Sequence, residues 1–245
     1  CGLLLGRAST AAAQAHAADA SPLLHSTQLI VVTTAHWSDV NGTLRRYERP
    51  LPGAPWRAVG NPVPVVLGSK GLGWGIGAVA LSISKKGDPV KQEGDLKAPA
   101  GIFHLGTEFG DALAKPTGWQ MPYLALTPTI ECVDDTHSSF YNRIVNRSSV
   151  APDWHSSEHM LKVGKYYRWG VEVEQNPAAQ RSAGSCVFMH IWDGKGVGTE
   201  GCTAMAEPQI KAILAWLRPA ADALVVQMPS TQYRQLEKQL HLPAE

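Results

Sequence analysis

Short runs of β-branched and apolar residues, separated by turn-forming residues, recur along this chain and restrict it to a fold built mainly from strands. The 23 glycines and 17 prolines supply the turns that closely spaced strands require. The strand-like runs occupy residues 28–34, 43–48, 56–60, 63–67, 101–105, 123–126, 167–173, 186–192 and 224–228. The sequence therefore predicts a single mostly-β domain over residues 26–230.

The dipeptide Asn41-Gly42 lies between the first two of these runs. Asn-Gly is a preferred pair in two-residue hairpin turns, because both residues adopt a positive φ readily. We therefore expect the first hairpin of the domain to turn at these two residues.

Two amphipathic segments predict short helices near the C-terminal end. The segment 207–218 has apolar residues at helical spacing, namely Ile210, Ile213, Leu214 and Leu217. Residues 230–241 predict a C-terminal helix with Ser230 as its N-cap. We assign residues 231–245 to a helical tail that follows the domain.

The net charge argues against a nucleic-acid partner, and the hydropathy argues against a membrane-spanning segment. Lys and Arg number 22 and Asp and Glu number 21, so the formal net charge is +1 and no strongly basic footprint for nucleic acid is present. No run of about 18 apolar residues occurs, so we expect no integral membrane span. We therefore expect no nucleic-acid partner and no membrane-spanning segment in this chain.

The first residues resemble the end of a secretory signal peptide. Leucines follow Cys1, and an alanine-rich stretch with small-residue cleavage patterns comes next. We assign residues 1–24 to a signal-peptide remnant or tether, and a lipidated Cys1 or an uninformative tail are the alternatives. Three cysteines remain after residue 24, and in an exported protein an odd number leaves one thiol unpaired.

The segment His155-Ser156-Ser157-Glu158-His159 matches the inverted zincin signature H-x-x-E-H. On a helix, His155 and His159 would share one face and bind zinc, with Glu158 as the base. A zinc metallopeptidase is therefore one alternative function. The competing interpretation is a polar surface helix that lines a groove.

The segment Thr199-Glu200-Gly201-Cys202-Thr203 is the sharpest local signal for chemistry. Backbone N–H groups near Cys202 would form an oxyanion hole, and a protonated histidine nearby would lower the pKa of its thiol. His190 lies twelve positions earlier, at the end of a predicted strand. These residues predict a Cys–His nucleophilic pair, and the alternative is a buried cysteine with a core histidine.

The stretch from His190 to Thr203 resembles the catalytic signature of the YkuD-type L,D-transpeptidases, which remodel bacterial peptidoglycan. That signature is a histidine, an intervening loop, and Ser/Thr-x-Gly-Cys followed by a small helix. The segment Lys97–Phe103 is similar to the family's upstream Pro-x-Gly motif. Supporting similarities occur at 132–135, 141–142, 157–160 and 184–190. The resemblance covers about residues 28–228.

This resemblance implies a β-sandwich or barrel with a few short helices, and a thioester mechanism without metal or cofactor. Cys202 would attack the stem peptide, and His190 would act as general base and acid. Gly201, Cys202 and Thr203 would supply backbone donors to the oxyanion, and Thr199 would hold the loop or orient the imidazole. The implied acyl acceptor is a second stem, a lipoprotein lysine or water.

The resemblance also implies a setting for the pair. The groove residues would be Glu158, His159, Trp192 and Ser185. A disulfide between Cys132 and Cys186 would brace the strand that carries His190. The implied location is the periplasm or cell envelope of a bacterium.

Two features depart from the family pattern. The spacing from His190 to Cys202 is shorter than in many members, and Ala204 stands where many members carry an arginine. These departures leave an L,D-carboxypeptidase or amidase using the same pair as an alternative. A wall-binding module without turnover is a further one.

Overall fold

The computed structural model describes residues 21–79 and 83–244, and this part of the chain is mostly β. The prediction of a mostly-β fold with a few short helices is confirmed. The strands are β1 (Gln28–Thr34), β2 (Asn41–Glu48), β3 (Arg57–Val66), β4 (Leu72–Trp74), β5 (Ala98–Gly110), β6 (Tyr123–Ala125), β7 (Ile130–Val133), β8 (Ile144–Asn146), β9 (Ser157–His159), β10 (Trp169–Val173), β11 (Phe188–Ile191), β12 (Thr203–Met205) and β13 (Leu224–Pro229).

Eight of these strands close into a barrel. Their order is β10-β11-β12-β3-β2-β1-β13-β5, and β5 pairs again with β10. The β1–β13 and β11–β12 pairs are parallel, and the other neighbours in the ring are antiparallel. Closure gives every strand of the ring two partners, so no barrel strand exposes an unpaired edge.

A second, smaller sheet packs beside the barrel in the order β8-β7-β9. A disulfide joins Cys132 of β7 to Cys186, just before β11, with their Cα atoms 5.9 Å apart. The small sheet is therefore fixed covalently to the segment that leads into the β11 wall of the barrel.

Three α-helices lie among the described residues, α1 (Ser21–His25), α2 (Glu207–Leu214) and α3 (Ser230–Glu237). 3₁₀ helices span Arg147–Ser149, Met160–Tyr167 and Pro219–Ala221, and the second of them is interrupted by a kink at Gly164. Both C-terminal helices begin close to the predicted positions but end earlier, and Pro229 rather than Ser230 holds the cap position of α3. No helix in the described ranges combines the length and the apolar character needed to cross a membrane.

The segments assigned outside the domain pack against it where the structure describes them. Most of the range 1–24 lies outside the described residues, but Leu23 is buried in the core. In the segment 231–245, Tyr233 and Leu236 of α3 and Leu242 beyond it are also buried in the core. The C-terminal helix therefore packs its apolar side chains against the domain.

The first hairpin forms, but its turn is misplaced in the sequence prediction. β1 and β2 are antiparallel, and Asn41 and Gly42 already belong to β2. A Cβ on Gly42 would lie 2.9 Å from the Leu67 side chain and 3.1 Å from the backbone oxygen of Thr33. This glycine therefore serves close packing, and the chain reverses over residues 35–40.

The carboxyl group of Glu108 is buried in the barrel wall without a hydrogen-bond partner. Glu108 lies on β5 and is 0% exposed, and neither of its carboxyl oxygens finds a donor among the described residues. Burial raises the pKa of Glu108 to about 8, although Lys115 acts in the opposite direction. The side chain is therefore largely protonated at neutral pH.

Glu108 predicts that stability falls as pH rises. The pKa is 4.5 ordinarily and about 8 in the fold, so the folded state holds an extra proton between these values. The free energy of unfolding therefore decreases across that window, and Glu108→Gln removes this decrease. In urea unfolding, the wild type should lose on the order of 1–3 kcal/mol more than the variant between about pH 5 and pH 8. Glu237→Gln on α3 is the control, and equal losses in wild type and Glu108→Gln contradict the prediction.

Candidate active site

A cavity of about 590 Å³ opens where the loop before β12 meets the small sheet. Cys202 and His190 both line it, and each is 8% exposed, so both are reached from the cavity. The predicted pair therefore shares one pocket, with His190 on β11 and Cys202 in the loop just before β12. The wall also includes the predicted residues Glu158, Ser185, Trp192, Thr199 and Gly201.

The loop that carries Cys202 is anchored to the end of β3. Thr199 donates its backbone N–H to Leu67 and accepts from the N–H of Ser69, at 2.9 and 2.7 Å. The Thr199 hydroxyl donates to the carbonyl of Cys202 at 2.6 Å and accepts from the N–H of Gly201 at 3.2 Å. Thr199 therefore holds the loop together, which is one of the two roles that the resemblance implies for it.

Gly201 adopts a backbone conformation that other residues rarely take. Its φ is +149°, and a Cβ there would lie 3.1 Å from the carbonyl oxygen of Lys97. The glycine thus lets the chain turn sharply just before Cys202. Because its N–H bonds to Thr199, it is not a free oxyanion donor in this structure.

His190 is held in one orientation within the wall. Its Nδ1 lies 2.8 Å from the carbonyl oxygen of Ile191, so Nδ1 carries the proton and donates to that oxygen. Nε2 is then the nitrogen left to accept a proton. The Tyr167 ring packs edge-on against the imidazole at 5.2 Å between ring centres. Burial lowers the pKa of His190 to about 4, so the imidazole is neutral at pH 7.

The thiol of Cys202 is also neutral at rest. Burial raises its pKa to about 12, and the charge of Glu158 adds to this increase. The Phe188 N–H, which lies 3.3 Å from the sulfur, favours the thiolate, as does the Tyr167 hydroxyl. Burial outweighs these donors, so the resting site is not the thiolate–imidazolium pair that the sequence suggested.

The half-buried Glu158 and the buried Tyr167 form a polar pair beside the sulfur. The Tyr167 hydroxyl donates to a Glu158 carboxyl oxygen at 2.7 Å. Burial raises the pKa of Glu158 to about 7, which outweighs the bond from Tyr167 that lowers it. This carboxyl group therefore changes its charge near neutral pH, in contact with the wall that holds Cys202.

Further carboxylates surround the same cavity. Glu93 accepts hydrogen bonds from the hydroxyls of Tyr141 and Ser185. Lys91 is a buried cation in the wall, and its ammonium group lies 2.6 Å from Asp95. The Lys91 charge is therefore matched within the wall.

The disulfide positions one side of the cavity. Cys186 lines it, and the Cys202 thiol donates to the Cys186 carbonyl oxygen at 3.7 Å. The bond to Cys132 ties this backbone to β7, whose sheet also contains the strand that carries Glu158. The pairing implied by the resemblance is thus present and leaves Cys202 as the free thiol among the described cysteines.

The side chains of two predicted site residues point away from the cavity. His159 places Nδ1 3.0 Å from Glu131 within the small sheet and does not line the cavity. Thr203 donates its hydroxyl to Gln227 at 2.7 Å in the buried barrel wall, so only its backbone remains near the site. Successive residues of a strand face opposite sides, which separates Glu158 from His159.

The zinc interpretation rested on a helix that does not form. The segment from Ser157 to His159 is strand β9, so His155 and His159 are not stacked one helical turn apart. Asp153, which precedes this segment, accepts hydrogen bonds from Ser138 and Ser139 and caps no helix. No cluster of three potential metal ligands occurs within residues 21–79 and 83–244.

Several residues of the cavity wall carry no sequence motif that predicts their place there. Tyr167 was interpreted as the start of a strand, but it ends the 3₁₀ helix Met160–Tyr167 and faces both His190 and Cys202. The adjacent tyrosines at 166 and 167 were the available signal. Glu93 and Lys91 carry no local motif, and only the fold brings them to the cavity.

Comparison with known proteins assigns neither a family nor a function to this chain. No protein-family model and no curated protein matches the chain. Among solved structures, Bd1075 of Bdellovibrio bacteriovorus is similar with 14% identity and a TM-score of 0.40. The match covers 89% of this chain and 55% of that one, so this chain spans about half its length. At this similarity, neither fold nor function is transferred.

Removing the disulfide should destabilise the domain. It closes a loop of 54 residues, so Cys132→Ser combined with Cys186→Ser should lower the free energy of unfolding by about 2–4 kcal/mol. Urea unfolding measures the loss, and dithiothreitol should destabilise the wild type by a similar amount. Dithiothreitol on the double variant is the control, since no further loss is expected there. Unchanged stability of the double variant contradicts the prediction.

Glu158→Gln should increase the reactivity of Cys202 in a pH-dependent way. The ionised carboxylate raises the pKa of the thiol, and it is present mainly above about pH 7. The variant should therefore react roughly 3–10-fold faster than wild type near pH 9, and at a similar rate near pH 6. Reaction with a disulfide reagent, followed at the Cys202 peptide by mass spectrometry, measures both rates. Glu207→Gln on α2 is the control, and a slower Glu158→Gln variant at pH 9 contradicts the assignment.

Proposed function

We propose that this chain is an acyltransferase of the L,D-transpeptidase type that acts on peptidoglycan stem peptides. The observation that carries the proposal is the shared cavity in which the free thiol of Cys202 lies with the oriented imidazole of His190. The cavity, at about 590 Å³, is large enough for a short peptide segment. The resemblance of the His190–Thr203 stretch to that family supplies the substrate class.

In the proposed acylation, Cys202 attacks the carbonyl carbon of an L-to-D peptide bond. His190 Nε2 takes the thiol proton as the S–C bond forms. The tetrahedral adduct then collapses to a thioester, the C–N bond breaks, and the leaving amine takes the proton from His190. Because both groups are neutral at rest, proton transfer accompanies the attack rather than preceding it.

In the proposed second half-reaction, an acceptor attacks the thioester carbonyl and the C–S bond breaks. The amine of a second stem or of a lipoprotein lysine gives a cross-link, whereas water gives a shortened stem. His190 removes the acceptor's proton and returns it to the Cys202 sulfur. The backbone N–H groups of Cys202 and Thr203 are the proposed oxyanion donors, since that of Gly201 is bonded to Thr199.

We also propose that the protein works in the bacterial cell envelope after export. Disulfides persist mainly in oxidising compartments, and the Cys132–Cys186 bond is compatible with such a setting. The location follows from the substrate class as well, since peptidoglycan lies outside the cytoplasmic membrane.

Cys202→Ala should abolish activity without unfolding the protein. The wild type, incubated with purified tetrapeptide muropeptides, should gain the mass of an acyl adduct and release cross-linked or shortened products. Activity in Cys202→Ala should fall at least about a thousandfold, because the nucleophile is gone. His190→Gln should also lose the adduct, since the base is removed.

His155→Gln is the matched control, because this exposed histidine lies outside the cavity. It should retain activity, whereas a zinc peptidase that uses His155 would lose it. Full activity in Cys202→Ala overturns the proposal. Absence of any adduct or product with the wild type favours a non-catalytic wall-binding module instead.

A further inference from the structure

A second depression, of about 520 Å³, lies at the opposite end of β3 from the active-site cavity. It is built where β1 begins, β2 ends and β3 starts, beside the 3₁₀ helix Pro219–Ala221. The active-site loop instead meets the chain at Gly68, beyond the other end of β3. Ten residues of extended strand separate the two ends, which corresponds to about 30 Å. The depression is therefore independent of the Cys202 site.

One wall of the depression is a buried and rigidly held arginine. Arg49 is 6% exposed, and it donates from Nε to Ser26 at 2.7 Å and from Nη2 to the carbonyls of Leu23 and Leu24. Its guanidinium also packs over the Trp56 ring, 4.2 Å from the ring centre. Nη1 has no hydrogen-bond partner among the described residues. The side chain is thus fixed in position with unused N–H donors.

Two further arginines line the same depression. Arg57 is exposed at the start of β3, and Arg218 is half-buried just before the 3₁₀ helix. Neither guanidinium forms an ion pair or a hydrogen bond within the part of the chain that the structure describes. Glu48 is the one acidic residue in the lining, and its carboxylate accepts from Trp216 Nε1 at 3.3 Å.

These groups give the depression a local excess of positive charge. Three guanidinium groups and one carboxylate sum to +2 in one small depression, while the whole chain carries a formal charge of only +1. Burial lowers the pKa of Arg49, because its charge is desolvated. An anion in the depression would offset the repulsion among the three cations.

The donor set selects among anions. Guanidinium groups present planar pairs of N–H donors that match the oxygens of carboxylates and phosphates. A carboxylate carries one negative charge and two oxygens, so it leaves one positive charge unmatched. A phosphomonoester carries about −1.5 to −2 charge and three acceptor oxygens, which matches both the charge and the number of arginines.

We propose that the depression formed by Arg49, Arg57 and Arg218 binds the phosphomonoester group of a ligand. Arg49 provides the fixed donor, and the two more exposed arginines close on the phosphate from the rim. The volume of about 520 Å³ leaves room for a sugar or glycerol unit attached to the phosphate. The site holds a ligand at a distance from Cys202 and has no chemical step of its own.

Calorimetric titration of the full chain tests this proposal. The probes are inorganic phosphate and glucose 1-phosphate, with acetate at matched ionic strength for comparison. The wild type should bind both phosphates saturably and bind acetate at least about tenfold more weakly. Arg57→Gln combined with Arg218→Gln should weaken phosphate binding at least about tenfold, since two charged donors are lost.

Arg45→Gln combined with Arg181→Gln is the control, because it removes the same charge outside the depression. It should keep the wild-type affinity. Circular dichroism and an unchanged melting temperature show that each variant is folded. The proposal is overturned if the wild type binds neither phosphate, or if the two double variants lose affinity equally.

A sedimentation experiment distinguishes the source of the phosphate. Phosphatidylcholine vesicles with and without phosphatidic acid present the monoester as a lipid headgroup. Binding that needs both phosphatidic acid and the two rim arginines supports the proposal with a lipid as the source. Phosphate binding in solution without vesicle binding supports it with a soluble ligand. The arginines lie outside the Cys202 cavity. Phosphate binding and muropeptide turnover are therefore measured separately in Arg57→Gln combined with Arg218→Gln, and loss of the first does not imply loss of the second.

Discussion

The pairing of β5 with β10 closes the barrel, and the candidate site depends on that closure. β10 pairs with β5 on one side and with β11 on the other, so His190 lies in a continuous wall. The parallel pairing of β11 with β12 aligns His190 with Ala204, two residues after Cys202. Without the closed ring, the two strands would form an edge with no fixed relation to the small sheet.

The burial of Cys202 and His190 in this wall determines the protonation state of each side chain. A thiolate and an imidazolium are both charged forms that a desolvated site disfavours, so burial raises one pKa and lowers the other. The same burial raises the pKa of Glu158. The thiol and the imidazole are therefore neutral at rest, whereas Glu158 changes its charge near pH 7, and a bound substrate would change the surroundings of all three.

Local sequence patterns predicted an element correctly where the preferences of neighbouring residues decide its structure. The run 28–34 became β1 without change, because β-branched residues favour a buried strand regardless of its partners. Gly42 misled the turn prediction, since its role is to admit the Leu67 side chain, which is distant in sequence. The 155–159 segment misled the helix prediction because Ser157–His159 within it pairs with β7 and forms strand β9.

Residue types and their order along the chain already predict a domain built from strands, with Cys202 and His190 as its candidate reactive pair. Both conclusions follow from residue types and spacing over short stretches. Folding makes the pair neutral, brings Tyr167 and Glu158 beside it, and turns His159 away from the cavity. Those properties depend on burial and on which face of a strand meets the cavity. Residues far apart in the chain create both, so no local pattern contains them.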